Sequence, residues 1–266
     1  MNKVTTTSYK NTGIVTLNNP ETENSIDISL LENLTRSIKK LEKSEQVDLI
    51  WLKSGINDIF STGYDVGYFE DKNEAECRYF AKTGAELVET IKGCKKIIIC
   101  TVDGAALGGG FEIVLSCDLI FATERSQFGF PEVNYGVLPG FGGTQLLSRK
   151  IYETFTKYLI FTGNTVQASE LYEKGIINRI TKNRENNEKE VFAMADIIKH
   201  RSKFALGLAK ETVNNGLDMP LKQALLYEQN AFMASFASND KKEGMTAFKE
   251  KRTPDFTDRW EDFETL

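Results

Sequence analysis

The sequence has few of the residues that support nucleophilic or metal catalysis. Among 266 residues there is one histidine, His200, and it lies in the basic run KHRSK. Catalytic triads and Cys–His pairs need a histidine beside the nucleophile, and a solvated basic stretch is a poor place for one. The four cysteines show no CxxC spacing, and no HExxH is present, so a catalytic zinc has no evident ligands. We interpret the cysteines as buried, reduced thiols.

Other classes of protein are disfavoured by what else is missing. The glycine runs lack the GK[ST] and GxGxxG arrangements of nucleotide-binding loops. A net charge of −5 gives no overall field that attracts nucleic acid or an anionic membrane. No apolar run approaches the roughly 18 residues of a membrane span, and the opening MNKVTTTSYK has no apolar signal segment. We predict a cytoplasmic protein that binds neither nucleic acid nor membrane.

The first two thirds of the chain alternate between β-rich and helical patterns. Apolar residues recur at helical spacing after residue 28 and again over residues 74–92, and Ser29 with Glu32 fits a capping box. The β-rich segments are residues 4–9, 14–17, 49–52 and 97–102. Strand, turn and helix in this order predict an α/β fold with a largely parallel sheet.

The last third of the chain is mostly helical in pattern. Four segments are predicted to be helices, at residues 188–199, 203–214, 221–237 and 240–251. The charge-rich stretch 181–189 is predicted to be a solvated connection. We therefore divide the chain into a core of residues 1–190, which holds the active site, and a C-terminal helical region of residues 191–266.

The residues best suited to catalysis lie between residues 97 and 145. A β-branched strand leads to three glycines at 108–110 and then to an apolar segment that begins a helix. Glycines let backbone N–H groups approach a ligand closely, and a helix N-terminus adds unpaired donors. Such a junction stabilises an oxygen that becomes negative, for example a thioester carbonyl that turns into an enolate. Glu112 lies in the first helical turn, and Glu132 follows twenty residues later.

Two motifs in this run carry a family resemblance. ALGGGFE and QFGFPEVNYGVLPGFGGTQ resemble the signature of the crotonase, or enoyl-CoA hydratase, family. The resemblance covers nearly the whole chain and implies a spiral of ββα units. It also implies that the C-terminal helices pack on a neighbouring subunit, in a trimer or a hexamer. Glu112 and Glu132 match the two catalytic glutamates of the hydratases, which add water to trans-2-enoyl-CoA in fatty-acid metabolism and need no metal or redox cofactor.

The stretch FSTGYDV, residues 60–66, resembles the family form F-x-x-G-x-D. By that resemblance the backbone N–H groups of Tyr64 and Gly109 form the oxyanion hole. A tyrosine stands where hydratases often have alanine or leucine, so the pocket is expected to differ in shape. The C-terminal run GMTAFKEKR resembles the segment in which a Phe and a Lys reach the nucleotide bound by a neighbouring subunit. The residues that we expect at the substrate are Ser61, Gly63, Asp65, Val66, Gly108, Pro131, Gly140, Phe248 and Lys251.

Coenzyme A recognition is less well marked. The family often has Arg or Lys before the proline of the first turn and a Lys after F-x-x-G-x-D, where this chain has Asn19 and Gly67. Hydration of an acyl-CoA substrate is the main hypothesis. An enoyl-CoA isomerase or another lyase of the same family, and action on an acyl-carrier-protein thioester, stay open. An RNA-binding relative is disfavoured by the acidic charge balance.

Overall fold

Strands and helices alternate along the chain as the hydrophobic patterns predict. A computed structural model describes residues 3–263. The strands are β1 Val4–Tyr9, β2 Thr12–Leu17, β3 Leu49–Ser54, β4 Ile59–Ser61, β5 Ile97–Val102, β6 Ala105–Leu107, β7 Leu119–Thr123, β8 Gln127–Gly129, β9 Thr165–Gln167 and β10 Arg179–Thr181. The helices are α1 Ile28–Glu42, α2 Val66–Phe69, α3 Glu74–Gly93, α4 Gly109–Ser116, α5 Gly143–Lys150, α6 Glu153–Thr162, α7 Ala168–Glu173, α8 Arg184–Lys199, α9 Lys203–Gly216, α10 Leu221–Ser235 and α11 Asn239–Glu250. Short 3₁₀ turns lie at Pro20–Thr22, Pro131–Tyr135 and Trp260–Phe263.

The strands form two sheets. One has the order β1-β2-β3-β5-β7-β10, and the other has the order β4-β6-β8-β9. Apart from the β1–β2 and β8–β9 pairs, the neighbouring strands run parallel. Successive strands β3 and β4, β5 and β6, and β7 and β8 alternate between the sheets, and a helix or a 3₁₀ turn follows each pair. The chain therefore repeats a ββα unit, and every repeat brings a loop to the same side of the small sheet.

Both faces of the large sheet are buried. Ile50 and Leu52 of β3 face one apolar cluster, whereas Leu49 and Trp51 face a second cluster on the opposite side. This explains why β3 and β5 read as continuous apolar runs, as strands of parallel sheets covered on both faces do. The three cysteines 94, 100 and 117 are buried and free, as predicted, while Cys77 is only partly buried.

The start of α1 differs from the sequence prediction. Asp27 is the N-cap, and its side chain accepts a hydrogen bond of 2.8 Å from the N–H of Leu30. The predicted capping box of Ser29 and Glu32 is wrong, because the helix begins at Ile28 and Ser29 already lies in its first turn. An aspartate in extended conformation satisfies the unpaired N–H groups equally well.

Helix α8 begins earlier than predicted. The prediction of a solvated connection over residues 181–189 is wrong for its second half, because Asn183 caps a helix that starts at Arg184. Val191, Ala195 and Ile198 of α8 are buried in the second cluster, against the large sheet. The predicted boundary between residues 190 and 191 consequently lies inside a helix that packs on the core.

The C-terminal helices differ in how they contact the core. Lys210 of α9 is buried, and its Nζ lies 2.7 Å from a carboxylate oxygen of Asp118 beside β7. Helix α10 packs on α9 and has no buried residue. Its exposed apolar side chains include Leu221, Leu225, Leu226, Phe232 and Met233. None of the helices within residues 3–263 has the length and apolar character needed to cross a membrane.

Candidate active site

The glycine run after β6 makes a sharp turn into α4. Gly108 is the N-cap with φ of +49°, and its N–H donates a hydrogen bond of 2.9 Å to the carbonyl of Gly129 in β8. Helix α4 then begins at Gly109, whose N–H is among those at a helix start that have no partner within the helix. Glu112 lies in the first turn of this helix and is fully buried. The turn therefore brings backbone donors and a carboxylate to one place.

A second turn, at Gly63, lies directly against this junction. Gly63 has φ of +91°, and a Cβ on it would lie 2.8 Å from the carbonyl oxygen of Leu107. The carbonyl of Gly63 and the N–H of Asp65 bond to the backbone of Ile26, on one side of the chain. Tyr64, between them, directs its own N–H to the opposite side, as alternate residues of a bridged strand do. The two N–H groups predicted as an oxyanion hole thus come from adjoining turns.

Three protein donors surround the carboxylate of Glu112. Its Oε1 accepts hydrogen bonds from the N–H groups of Phe141 at 2.8 Å and Gly143 at 2.6 Å. Its Oε2 accepts a hydrogen bond from the hydroxyl of Tyr64. Because Gly143 is the first residue of α5, Glu112 also lies at a helix N-terminus, which favours a negative charge.

Sequence reasoning missed these partners of Glu112. The motif PGFGGT contained a signal for two of them, because a glycine-rich turn that leads into a helix presents backbone donors. Nothing in the local sequence of Tyr64 indicates that its hydroxyl bonds to a residue 48 positions away.

Glu132 is buried in a different environment. It is the second residue of the 3₁₀ turn after β8 and is 3 % exposed. Its two carboxylate oxygens have no hydrogen-bond partner among residues 3–263. The carboxylate lies against the glycine turn, since a Cβ on Gly108 would lie 2.5 Å from Oε1. Buried carboxylates are normally paired or hydrogen-bonded, so the surroundings of Glu132 are unusual.

Burial raises the pKa of both carboxyl groups, and hydrogen bonds from the protein oppose this at Glu112. Burial, and then the charge of Glu112, raises the pKa of Glu132 to about 8. Burial also raises the pKa of Glu112, but the hydrogen bonds from Tyr64, Gly143 and Phe141 oppose this and favour the charged form. Burial and the neighbouring Glu112 raise the pKa of Tyr64 far above its usual range. Near neutral pH these shifts favour the protonated carboxyl of Glu132 and the neutral phenol of Tyr64.

Aromatic side chains hold the ring of Tyr64 in place. Its centroid lies 4.9 Å from that of Phe141, 5.7 Å from that of Phe80 and 6.1 Å from that of Phe69. A Cβ on Gly109 would lie 2.4 Å from Cε1 of Tyr64, so the ring covers the start of α4. The tyrosine therefore fills space beside the two turns that a smaller residue would leave open, and its effect on the shape of the substrate pocket stays a prediction.

The remaining predicted site residues of the core occupy several kinds of position. Ser61 is fully buried, and its hydroxyl donates to the carbonyl of Asn24 and accepts from the N–H of Gly63. The side chain of Asp65 caps α2 through the N–H of Tyr68. These two side chains support the Gly63 turn, so contact with substrate stays a prediction for them.

Three more predicted residues lie on turns near the carboxylates or close to Tyr64. Pro131 is the first residue of the 3₁₀ turn that carries Glu132. Gly140 is exposed, and its N–H donates a hydrogen bond of 2.6 Å to the Tyr64 hydroxyl. Val66 begins α2 and is 52 % exposed. A role in substrate binding stays a prediction for all three.

Phe248 and Lys251 lie at the end of α11. Phe248 is 85 % exposed, and Lys251 is the exposed C-cap residue with φ of +55°. The predicted contact with a nucleotide concerned a neighbouring subunit, and their exposure leaves both side chains free for it. That contact stays a prediction.

Comparison with known proteins decides the family. The enoyl-CoA hydratase/isomerase family profile matches residues 7–259. The chain belongs to this family. A probable enoyl-CoA hydratase of Mycobacterium leprae is 35% identical over 256 residues, which are 94% of this chain and 96% of that protein. A short-chain-enoyl-CoA hydratase of Clostridium acetobutylicum is 35% identical over 241 residues, 90% of this chain and 91% of that one. The crystal structure of an enoyl-CoA hydratase from Bacillus anthracis is 29% identical, with a TM-score of 0.90 over 96% of this chain and 98% of that chain.

The family match confirms the resemblance drawn from the two motifs. It also confirms that the chain is an enzyme of this family. The predicted α/β class is confirmed as well, with the crotonase-like spiral of ββα units and the helical C-terminal region. Within residues 3–263, no three or more His, Cys, Asp or Glu side chains are grouped so as to hold a metal ion.

Proposed function

We propose that this member of the enoyl-CoA hydratase/isomerase family adds water to trans-2-enoyl-CoA and forms 3-hydroxyacyl-CoA. The observation that carries this proposal is the pair of buried carboxylates beside one glycine turn, Glu112 with three protein donors and Glu132 with none among the described residues. Hydration needs one group that takes a proton from water and another that gives a proton to carbon. Two carboxylates in unlike environments suit these two roles.

The thioester carbonyl would bind between the N–H groups of Tyr64 and Gly109. Negative charge grows on this oxygen as the hydroxyl adds to C3, and preorganised N–H donors stabilise that charge at low cost. The close approach of the Gly63 turn to Leu107 supports this placement. Because both donors belong to the backbone, the side chain of Tyr64 is free for another role.

Glu132 would protonate C2, and Glu112 would accept the proton of the attacking water. The raised pKa of Glu132, about 8, supports the first assignment, because a carboxyl that is protonated near neutral pH is a competent general acid. The donors around Glu112 support the second, because they favour the carboxylate over the carboxylic acid. The added water leaves its oxygen on C3 and one proton on Glu112, while C2 receives the proton of Glu132.

A specific observation also favours a second candidate, an enoyl-CoA isomerase. Both oxygens of Glu112 are engaged by protein groups, and a single free carboxylate such as Glu132 suffices to move a proton between two carbons. The two reactions differ in their products, since only hydration adds a hydroxyl group to C3.

The experiment is an assay with crotonyl-CoA, followed by the loss of the conjugated enoyl-thioester absorbance. Hydration removes this absorbance and gives 3-hydroxybutyryl-CoA, which mass spectrometry detects as a gain of one water. Loss of absorbance without gain of water would support the isomerase instead. The same assay with crotonyl thioesters of pantetheine and of acyl-carrier protein tests whether the chain recognises the nucleotide part of coenzyme A.

We further propose that residues 191–266 mediate assembly into a homotrimer or hexamer. Helix α10 supports this, because it exposes a row of apolar side chains and contributes nothing to the core. Large exposed apolar patches commonly mark interfaces between proteins. Light scattering during gel filtration should give the mass of three or six chains, and a monomer would contradict the proposal.

A further inference from the structure

The carboxylate of Glu112 is enclosed by other groups of the protein. It is 0 % exposed, and each of its oxygens already accepts hydrogen bonds from the protein. The donors on Oε1 are backbone N–H groups of a turn and a helix start, and these cannot rotate away. In this arrangement a water molecule has no direct approach to Glu112.

Tyr64 lies between Glu112 and the exposed residue Gly140. Its hydroxyl donates to Oε2 of Glu112 and accepts from the N–H of Gly140 at 2.6 Å. Unlike Glu112, Tyr64 is only partly buried. A hydroxyl oxygen can accept a second hydrogen bond, so this oxygen keeps one position for a water molecule.

The space beside Gly140, next to the Tyr64 hydroxyl, is open. Apart from the adjoining Pro139 and Phe141, a Cβ built on Gly140 would meet within 4 Å only the hydroxyl oxygen and Cζ of Tyr64, at 3.4 and 4.0 Å. Gly140 itself is exposed, so a water molecule has access to the hydroxyl from that side.

We propose that the Tyr64 hydroxyl is a catalytic residue that relays a proton from the attacking water to Glu112. This inference rests on the hydratase function proposed above. As the water oxygen forms its bond to C3, one of its protons passes to the Tyr64 oxygen, and the tyrosine proton passes to Oε2 of Glu112. The π electrons of the C2–C3 bond take the proton of Glu132 at C2. Exchange with solvent then returns a proton to Glu132 and removes the one on Glu112.

The chemistry of the phenol fits a relay. Its raised pKa keeps it neutral across the physiological range, so it gives up its proton only as it gains another. The aromatic contacts of the ring give it a structural role as well, and the experiment must separate the two roles.

The test compares Tyr64→Phe and Tyr64→Ala with Tyr68→Phe in crotonyl-CoA hydration. Tyr68 packs in the same aromatic cluster, with ring centroids 5.2 Å from Phe69 and 6.1 Å from Phe80. Its variant therefore loses a hydroxyl from the same surroundings and should keep the wild-type kcat. Tyr64→Phe should lower kcat by about 10²–10³ and change KM little, because only proton transfer is lost. Tyr64→Ala should be faster than Tyr64→Phe, because water can occupy the vacated space and bond to Glu112.

A purely structural role gives the reverse order, since loss of the whole ring harms packing more than loss of the hydroxyl. The relay is therefore overturned if folded Tyr64→Ala is slower than Tyr64→Phe, or if Tyr64→Phe keeps the wild-type kcat while the wild type hydrates crotonyl-CoA. A wild type without hydratase activity would overturn the proposed function and the relay together. A measurement on the wild type alone covers variants that do not fold. Three exchangeable protons move in the proposed step, those of the water, of Tyr64 and of Glu132, so kcat in mixtures of H₂O and D₂O should show the curvature of three moving protons. A linear plot, or the curvature of two protons that direct transfer from water to Glu112 would give, contradicts the relay.

Discussion

The Cα of Gly108 faces the carboxylate of Glu132 so closely that a Cβ on Gly108 would lie 2.5 Å from Oε1. Gly108 also has φ of +49°, a conformation that residues with a Cβ adopt at a cost. The glycine therefore both makes the turn into α4 and leaves room for the acid that we assign to C2.

Gly108→Ala should reduce hydration far more than it reduces stability. The added methyl group pushes aside the flexible end of Glu132, and a misplacement of about 1 Å costs roughly 10²-fold in rate. Gly175→Ala is the control for a positive φ alone, because Gly175 has φ of +78° and no atom within 4 Å of the added Cβ. It should lose about 1–2 kcal/mol in urea unfolding and keep its activity. Gly108→Ala, whose ψ of −126° lies outside the left-handed helical region, should lose up to about 3 kcal/mol and most of its activity. Equal activities in the two variants would contradict the position assigned to Glu132.

The free energy of unfolding should carry a signature of Glu132. The pKa of Glu132 is about 8 in the folded protein, against an ordinary value of 4.5 that we assign to the unfolded chain. The folded protein therefore holds the proton more tightly. Between these two values the folded state binds more protons than the unfolded state, and Glu132 therefore destabilises the fold increasingly as pH rises. Relative to the wild type, Glu132→Gln should gain roughly 3 kcal/mol in urea unfolding between pH 5 and pH 8. A difference that stays constant with pH would show that Glu132 is not shifted upward.

The proposed oxyanion donor at Gly109 can be tested against a variant that adds the same Cβ. In the wild type any side chain at this position collides with the ring of Tyr64, 2.4 Å from the added Cβ. We therefore compare Gly109→Ala with Gly109→Pro in a Tyr64→Ala background. Both variants add a Cβ, but only proline removes the N–H. Proline is tolerated at the start of a helix. The proline variant should be slower than the alanine variant by about 10²–10³, since loss of one such donor costs roughly 2.7–4 kcal/mol of barrier. Similar kcat values in the two would remove Gly109 from the oxyanion hole.

Glu112 and Glu132 should behave as one unit in kinetics. Each single Glu→Gln variant should lose about 10²–10⁴ in kcat, because glutamine keeps the shape of glutamate but carries no proton of suitable acidity. The double variant should lose much less than the product of the two, since both residues serve one addition step. Losses that multiply would indicate that the two residues act in separate steps.

Much of the fold could be predicted from the sequence, because it follows from local apolar patterns. The β5 strand, and α9 to α11 within two residues at each end, agree with the predicted segments. The predictions of where α1 and α8 begin were wrong because the local sequence allows more than one equivalent start. At the start of α1, Asp27 and Ser29 are both good N-caps. In α8 the many charged surface residues weaken the apolar pattern of the buried residues Val191, Ala195 and Ile198.

The candidate site was only partly predictable. Glu112, Glu132 and the glycine turns were found because they lie in motifs with fixed spacing. The side-chain contact between Tyr64 and Glu112 joins residues 48 positions apart, and Gly143 lies 31 positions from Glu112. Such contacts depend on how turns of different ββα units meet, which no local pattern specifies.

The central claim, that this enzyme adds water across C2 and C3 with Glu132 as the acid, is tested most directly in deuterated water. Crotonyl-CoA is incubated in D₂O with the wild type and with Glu132→Gln, and the products are read by NMR. We predict that the wild type forms 3-hydroxybutyryl-CoA with one deuteron at C2, and that Glu132→Gln forms it at least about 10²-fold more slowly. A shifted double bond with no hydroxyl at C3, or hydration by Glu132→Gln at the wild-type rate, would contradict the account.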